Sequence, residues 1–316
     1  MGKAKKKSIF AKTEFTLGVI IIALFIIASV FTKSFFSAYN VTNLFKQGAI
    51  IGVLAVAQTA IIITSGIDIS GGAIAGLSCM IMALLQTKTA IPMGLYILIA
   101  LVVAVLCGFI NSVIIYDLKV PPMIATLGTQ TVFRGIVKLL CKGNPVTFTE
   151  EKILNLGSDL LFGFIPVLTV FWIVIAVIAI IWLKYMISGR NMFIIGSGIE
   201  VAKLSGIKVR NMFYLVYSLA GLLYGIAGIM LAGRVGMAQP GTGEGYDMNA
   251  IAAAVIGGAS LSGGRGAITG TLLGTLLMVL ITNAGTAFQI DPYILDVTTG
   301  VLIIFAVSMD MIKTRK

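Results

Sequence analysis

The chain has 316 residues, of which 58% are hydrophobic and only 11% are charged, whereas about a quarter of the residues in a soluble domain are charged. Its mean hydropathy of +1.05 predicts a polytopic membrane protein. The net charge of +11 does not indicate nucleic-acid binding, because the basic residues fall in short gaps between apolar runs, where they act as topology signals. Histidine, the commonest general base and metal ligand, is absent.

Ten apolar stretches are long enough to cross a membrane as helices, which need about 20 residues each. They cover residues 15–32, 47–65, 69–87, 91–116, 122–140, 163–183, 212–231, 248–263, 267–288 and 293–309. The fifth stretch is the weakest, because it begins at Pro121-Pro122 and contains Arg134. We therefore predict an all-α polytopic membrane protein, with about ten transmembrane helices in a single domain that covers residues 1–316.

The distribution of Lys and Arg predicts the orientation, since basic residues concentrate on the cytoplasmic side of a membrane. With the N-terminus in the cytoplasm, most of the 23 basic residues fall on that side. The N-terminal tail (1–14), the loop 184–211 and the C-terminal tail (311–316) are then all cytoplasmic. Ten crossings return the C-terminus to the side where its basic residues belong.

The loop 184–211 contains a helix-start pattern. Ser197 and Glu200 have the spacing of a capping box, in which the Ser hydroxyl and the Glu carboxylate each bond the backbone amide of the other residue. Gly206 is suited to end the helix in a left-handed conformation. The predicted helix, 198–205, is too short to be stable alone in water. It rests either on its own membrane domain or on a cytoplasmic partner.

At this loop the sequence resembles the ribose-type sugar permeases, the transmembrane subunits of bacterial ABC importers. The string SGRNMFIIGSGIEVAKLSGIKV is similar to their cytoplasmic coupling loop, with matches at Gly189, Arg190, Ile195, Gly196, Ala202, Ser205, Gly206 and Ile207. Gly198 departs from the pattern, since it replaces the usual Asn. Further resemblances follow in family order: GIDIS (66–70), PPMIATLGTQTVFRG (121–135), YDMNAIAAAVIGGASLSGGRG (246–266) and FAVSMD (305–310).

The resemblance implies a membrane subunit of an importer in the bacterial plasma (inner) membrane. It also implies a permease homodimer or pseudodimer, an extracytoplasmic sugar-binding protein and a partner ATPase, with tandem nucleotide-binding domains, that holds ATP and Mg. Ribose or a related pentose or hexose is the first expectation for the solute. The residues expected to couple the chain to the ATPase are Arg190, Gly196, Ser197, Glu200, Ala202, Ser205 and Gly206.

The chain itself lacks a nucleotide-binding loop. A P-loop requires Gly-x-x-x-x-Gly-Lys-Ser/Thr, and the nearest string, GASLSGGR at 258–265, has Gly-Arg in place of the Lys and the hydroxyl residue. Transport must therefore be driven by a partner ATPase or by an ion gradient. An ion-coupled secondary transporter of a small polar solute is the alternative. Most carboxylates lie near loops or helix ends, and Asp68 is the one between two adjacent spans.

Two related glycine-rich strings interrupt the apolar spans, GIDISGGAIAG at 66–76 and GASLSGGRGAITG at 258–270. Paired interruptions in two halves of a transporter point to its pathway. They predict two related halves, in parallel orientation, and a gate at the cytoplasmic end. Together with Arg134 of the fifth span, they supply the candidate residues of the translocation pathway or gate: Asp68, Ser70, Gly71, Gly72, Arg134, Ser262, Gly263 and Gly264.

The conformation and role of these candidates stay open at the level of sequence. Each string forms either a tight turn or a broken helix. Asp68 serves transport, or it caps a helix that starts at Ile69. Arg134 contacts a substrate or a partner carboxylate, or it extends to the outer interface. Gly72/Gly76, Gly221/Gly225 and Gly270/Gly274 have the small-x-x-x-small spacing of close helix contacts.

Overall fold

A computed structural model describes residues 7–32 and 34–314. The longer helices are α1 (Lys7–Phe31), α2 (Ala38–Ile63), α3 (Gly71–Lys88), α4 (Met93–Tyr116), α5 (Pro122–Cys141), α7 (Val167–Tyr185), α10 (Val209–Val235), α12 (Ile268–Ala287) and α13 (Pro292–Thr314). The shorter helices are α6 (Glu151–Ser158), α8 (Ile187–Ser197), α9 (Ile199–Leu204) and α11 (Tyr246–Ile256). Two antiparallel pairs are formed by β1 (Val146–Thr147) with β4 (Met237–Ala238) and by β2 (Leu160–Leu161) with β3 (Ile165–Pro166).

Every predicted span overlaps a helix, although the eighth, 248–263, is helical only as far as Ile256, so the all-α polytopic fold is confirmed. Eight helices in the described ranges are long and apolar enough to cross a membrane: α1, α2, α3, α4, α7, α10, α12 and α13. Helix α5 is not among them, and α11 has only 11 residues. The count of ten therefore stays a prediction. The predicted N-terminal tail lies partly in α1 and partly outside the described residues (1–6), and the C-terminal tail lies in α13 up to Thr314.

Two central helices organise the packing. Helix α10 packs against α2, α3 and α4, and α2 packs against α10, α11 and α12. Two of the predicted small-residue faces lie at close helix contacts, Gly221/Gly225 where α10 meets α4 and Gly270/Gly274 where α12 meets α11. A Cβ on Gly221 would lie 2.3 Å from the Ala104 carbonyl oxygen, and one on Gly274 would lie 2.0 Å from that of Ala253. The interpretation of these glycines as close-packing positions is confirmed.

Helix α10 runs between two distinct ends of the bundle. One end, which we call the loop end, carries α8 and α9 just before α10 begins; the other, the α6 end, carries α6, whose Gly157 packs on Gly233 near the end of α10. Helix α3 begins between these ends, since a Cβ on Gly71 would contact the ring of Tyr224 at 2.8 Å. Tyr224 lies near the middle of α10. Helix α3 is therefore a partial helix that starts inside the bundle.

The two glycine-rich strings adopt different backbone conformations. Gly71 and Gly72 begin α3 and are helical. Gly263 and Gly264, at φ +81° and +69°, form a left-handed turn ahead of α12. The first string is thus the start of a broken helix and the second is a tight turn. The relation between the two halves stays a prediction. The similar sequences of the two strings do not support it, because their backbones differ.

Candidate functional site

The segment 64–70, which we call the α2–α3 linker, is non-helical chain that is mostly buried inside the bundle. A non-helical backbone there needs hydrogen-bond partners, because unpaired amides and carbonyls are costly in an apolar interior. Thr126 of α5 supplies one of them: its Oγ1 accepts from Ile69 N at 3.1 Å. The single hydrogen of this hydroxyl has two carbonyl oxygens within reach, that of Pro122 at 2.9 Å and that of Ile67 at 3.2 Å.

Gln58 of α2 supplies two more. In the amide orientation that satisfies all of its neighbours, its side-chain oxygen accepts from Asp68 N and its nitrogen donates to the Asp68 carbonyl, each at 3.1 Å. The same nitrogen lies 3.2 Å from the Tyr224 hydroxyl. Gln58 is 2% exposed. It therefore ties α2, the linker and α10 together in the interior.

The Asp68 carboxylate turns back onto its own linker. Its Oδ1 accepts from Ser70 N at 2.8 Å and from Ser70 Oγ at 2.6 Å, and Asn111 of α4 donates to Ser70 Oγ at 2.8 Å. Helix α3 starts at Gly71 with Ser70 in the N-cap position. The predicted helix start at Ile69 is therefore wrong by two residues, and Asp68 is not the capping residue.

The N-termini of α3 and α11 meet in the middle of the bundle. A Cβ on Gly72 would lie 2.3 Å from the Gly243 carbonyl oxygen and 3.3 Å from Asp247 Oδ1. Asp247 is in the first turn of α11, and Gln130 of α5 donates to its Oδ2 at 2.8 Å. A carboxylate is favoured at a helix N-terminus, because the helix dipole is positive there. Two partial helices thus place acidic residues at their facing ends.

Arg134 of α5 lies beside this region. Its Nη1 donates to the Thr242 carbonyl, in the segment that leads to α11, and lies 3.1 Å from the position of a Cβ on Gly76. It interacts electrostatically with Asp247 and with Glu244. The Thr242 carbonyl holds the Arg134 side chain, and the two alternatives for its role stay open.

A second group of candidates meets at the loop end. We call the contact of residues 63–65, 196–197 and 262–264 the glycine junction. Ser65 Oγ lies 3.1 Å from the Gly196 carbonyl and 3.2 Å from that of Ser262, and Gly264 N donates to the Ile63 carbonyl at 2.9 Å. The first linker, the second glycine turn and the end of α8 are therefore in direct contact.

The predicted capping box does not form. Ser197 is the last residue of α8, and its Oγ donates to the Phe193 carbonyl at 2.8 Å. An N-cap residue needs an extended backbone, whereas Ser197 is still helical. Glu200 instead pairs with Lys203 at 2.8 Å. The break falls at Gly198, which occupies the N-cap position of α9 without a side-chain bond.

The end of α9 is as predicted. Gly206 has φ +76°, its amide donates to the Lys203 carbonyl, and the Ile207 amide donates to the Ala202 carbonyl, both at 3.0 Å. These two bonds are a Schellman motif. Ala202 is fully buried, whereas Leu204 is 89% exposed. The helix therefore rests on the bundle through one small residue and presents a large apolar side chain outward.

A polar cluster joins α4 and α10 at the loop end. Arg210 Nε lies 2.8 Å from Asp117 Oδ1, and the Tyr214 hydroxyl donates to Asp117 Oδ2. The hydrogen bond from Tyr214, together with the Arg210 charge, lowers the pKa of Asp117 below its usual value. The cluster stabilises the fold only while Asp117 is ionised.

Asp117→Asn is therefore expected to lower thermal stability at neutral pH and to make no difference in acid. The stabilisation is present above the pKa of Asp117 in the unfolded chain, about 3.9, and is lost as pH falls through its lower pKa in the folded protein. Thermal unfolding of both proteins across this range measures the effect. A constant difference at all pH values would contradict it.

Two surface cavities lie at the α6 end, away from the α2–α3 linker and from the glycine junction. The larger, of about 700 Å³, is mainly apolar and lies between α2 and the β2–β3 hairpin. The smaller, of about 450 Å³, is more polar and is lined in part by Lys46, Arg234 and Asn283. None of the predicted site residues lines either cavity.

The interrupted helices and the exposed helical loop can be compared with known proteins. The family model for the "branched-chain amino acid transport system / permease component" matches residues 40–307. The chain belongs to this permease family. The ribose import permease RbsC of Bacillus subtilis is 39% identical, over 94% of this permease and 92% of the relative. RbsC of Haemophilus influenzae is 35% identical over 92% and 91%.

Other relatives of the permease have different sugars in their names. The fructose import permease FrcC of Rhizobium meliloti is 33% identical, over 92% of this permease and 83% of the relative. No solved structure matches the permease significantly. The resemblance to ribose-type permeases is therefore confirmed by sequence, and the permease is a multi-pass membrane protein.

Several residues of the site were missed by sequence reasoning. We call the residues around the α2–α3 linker and the facing N-termini of α3 and α11 the central group. It also contains Gln58, Asn111, Tyr217, Tyr224 and Asp247, which are buried in the bundle. The sequence did indicate Gln58 and Asn111, because an isolated Gln or Asn in an apolar span usually has a buried partner. The Ser65 contact had no local signal, since its partners are 131 and 197 residues away in sequence.

Proposed function

We propose that this permease is the membrane-spanning subunit of an ABC importer for a monosaccharide, with ribose or a related pentose or hexose as its solute. Support comes from its relatives, which are named as ribose, fructose and galactose import permeases. The family description names branched-chain amino acids instead. A sugar is preferred because these relatives are 39%, 33% and 32% identical to the permease over most of their length.

The main structural support for this proposal is the geometry of the 184–211 loop. Helix α9 exposes Ile199, Val201 and Leu204 by 43%, 57% and 89%. Exposed apolar side chains next to polar ones are typical of a protein contact. Behind α9, Gly196 of α8 lies in the glycine junction. A partner that binds α9 thus contacts an element that touches both interrupted regions.

The partner at this loop is an ATPase subunit, with tandem nucleotide-binding domains, which supplies ATP and Mg. The coupling residues Arg190, Glu200 and Ser205 are exposed and available to it. Gly196 and Ala202 are buried and set the position of the two helices. An extracytoplasmic sugar-binding protein delivers the solute, and a second permease copy or a paralogue completes the pathway.

The topology follows from the same assignment. The loop end faces the cytoplasm of a bacterial cell, both termini are cytoplasmic, and the permease lies in the plasma (inner) membrane among its lipids. The two related halves are α2–α5 and α10–α13. The packing supports this division. If α2, α3 and α4 correspond to α10, α11 and α12, then α10 packs against the first three helices of one half, and α2 packs against the first three helices of the other.

The solute pathway passes the central group. The gate includes residues of the central group and of the glycine junction. Asp68, Ser70, Gly71, Gly72 and Arg134 belong to the inner part. Ser262, Gly263 and Gly264 belong to the cytoplasmic end, where the second turn touches the coupling loop. Discontinuous helices commonly mark the transport site of a membrane carrier.

Copurification tests the coupling loop. The permease is expressed with the ATPase subunit encoded beside it and is purified in detergent. Leu204→Asp is expected to reduce the copurified ATPase at least about tenfold, because loss of an apolar anchor costs more than about 1.4 kcal/mol. Leu118→Asp is the matched control: it is 67% exposed, lies at the loop end and is outside the loop. Undiminished copurification with Leu204→Asp would refute this role.

The alternative function is an ion-coupled secondary transporter, which the buried Asp68 favours. Uptake of labelled ribose and leucine into proteoliposomes separates the two. The ABC proposal expects ribose uptake only when the ATPase, the binding protein and ATP are present. Uptake by the permease alone that an uncoupler abolishes would establish the alternative. Uptake of leucine without ribose would refute the sugar assignment.

A further inference from the structure

Three buried polar atoms around the α2–α3 linker have no hydrogen-bond partner. They are Asp68 Oδ2, Asn111 Oδ1 and the Tyr217 hydroxyl. Asp68 is 1% exposed, and the other two side chains are fully buried. Buried polar groups are nearly always paired, so unpaired atoms in one region need an explanation. A Cβ on Gly66 would lie 2.5 Å from the Tyr217 hydroxyl, which places this residue against the same linker.

The hydrogen bonds of Ser70 fix the orientation of the Asn111 amide. Ser70 Oγ has one hydrogen, and it donates that hydrogen to Asp68 Oδ1 at 2.6 Å. It must therefore accept from Asn111 Nδ2, which lies 2.8 Å away. The oxygen of Asn111 is left as an acceptor. Asp68 Oδ2 is also an acceptor when the carboxylate is ionised, so two acceptors remain where a donor is needed.

Among the described residues, no Lys or Arg side chain compensates the charge of Asp68. Asp68 forms no ion pair with any of them. The groups that face it from the surrounding helices are neutral amides and hydroxyls: Gln58 of α2, Asn111 of α4, Thr126 of α5, and Tyr217 and Tyr224 of α10. The charged group that acts on it is Asp247 of α11, which has the same sign. An ionised carboxylate in these surroundings would be strongly unfavourable.

We propose that Asp68 binds a proton in this conformation, so that Oδ2 becomes the hydroxyl of a carboxylic acid. One proton then removes the buried charge and converts one unpaired acceptor into a donor. A proton fits better than a metal ion, since hard cations take about six or more oxygen ligands. The cluster offers two unpaired acceptors and one phenol.

The proton site would respond to movement of the linker. Asp68 is held neutral only while Gln58, Ser70 and Asn111 surround it and water is absent. Displacement of the linker into a hydrated pathway would favour the ionised form, so the proton would be released on opening and taken up on closure. This inference concerns the chain alone and does not depend on the solute or on the partner that drives transport.

Infrared difference spectroscopy of the purified permease at neutral pH tests the proposal. The wild-type protein is expected to show the carbonyl stretch of a protonated carboxylic acid, and Asp68→Asn is expected to lose it. Asp117→Asn is the control, because its carboxylate is exposed at the loop end and paired with Arg210. Asp247→Asn identifies any band from the second buried acid.

Two further measurements keep the test decisive. Asp68→Asn has the shape and donor of the protonated acid, so its melting temperature is expected to match the wild type, whereas Asp68→Ala is expected to melt several degrees lower. Should Asp68→Asn fail to fold, Asn111→Ala retains the acid and is expected to shift its band to higher frequency. A wild-type spectrum without an Asp68 acid band would overturn the proposal. Stabilisation by sodium ions that disappears in Asp68→Asn would also overturn it, because a cation would then occupy the site.

Discussion

Gly196→Ala is expected to abolish transport while the permease still inserts into the membrane. A Cβ at this position would lie 1.8 Å from the Ile63 carbonyl oxygen and 2.4 Å from Gly264 N. Both neighbours are backbone atoms joined by a hydrogen bond, so neither can rotate away. The methyl group must separate α8 from the α2–α3 linker and the second glycine turn. The coupling loop would then lose its contact with both.

Transport driven by ATP and the binding protein measures this effect, with membrane-extracted protein as the readout of insertion. Gly198→Ala is the matched control, two residues along the same loop. Its φ of 163° is extended backbone that any residue adopts, and its Cβ would meet only the side chain of Val201, at ordinary contact distances of 3.5 and 3.8 Å. Normal transport by Gly196→Ala, or equal loss in both variants, would show that the glycine junction does not couple the loop to the bundle.

Gly108→Ala is expected to destabilise the fold itself, by about 3 kcal/mol, near the upper end of the usual cost of overpacking. Gly108 lies on α4 where that helix crosses α10. A Cβ there would lie 2.1 Å from the Tyr217 carbonyl oxygen and 3.1 Å from the Gly221 Cα. The two helices cannot separate without disturbing the central helix of the bundle, which also contacts α2 and α3.

Denaturant unfolding in detergent measures this loss of stability. Gly94→Ala on the same helix is the control, because a Cβ there meets nothing within 4 Å. Replacing an unconstrained helical glycine with alanine is expected to be neutral or to stabilise the helix by up to about 1 kcal/mol. Equal stability of the two variants would mean that α4 and α10 are not packed as closely as described.

The positions of the helices could be predicted from the sequence, because lipid and protein neighbours both select apolar residues. The boundaries were harder to predict where polar residues are buried. Helix α2 begins at Ala38, nine residues before the predicted start at 47, since Asn40 in its first turn is paired with Asn283 of α12 at 2.9 Å. That partner is 243 residues away, and no local pattern indicates it.

The candidate site was predictable as a set of residues but not as an arrangement. The string Ser-Gly-Gly occurs twice, yet its backbone is helical at Gly71-Gly72 and left-handed at Gly263-Gly264. Glycine permits both conformations, so the tertiary contacts decide between them. The capping box failed for a similar reason, since Ser197 has the right spacing but belongs to the preceding helix.

The α2–α3 linker obtains its hydrogen bonds from three different helices, and this limits how the molecule can deform. Gln58 of α2, Asn111 of α4 and Thr126 of α5 all bond to residues 67–70. Pulling any of these helices away would leave buried backbone or side-chain groups unpaired, at about 1–3 kcal/mol each. Helices α2, α4 and α5 should therefore travel as one rigid body. The shear plane of an opening motion must then lie on the other side of the linker, where α11 and α12 meet α2 through apolar side chains such as Ile62 and Ile251 and through the buried hydroxyl pair of Thr59 and Thr271. Such a motion would also break the hydrogen bond between Gln130 of α5 and Asp247 of α11.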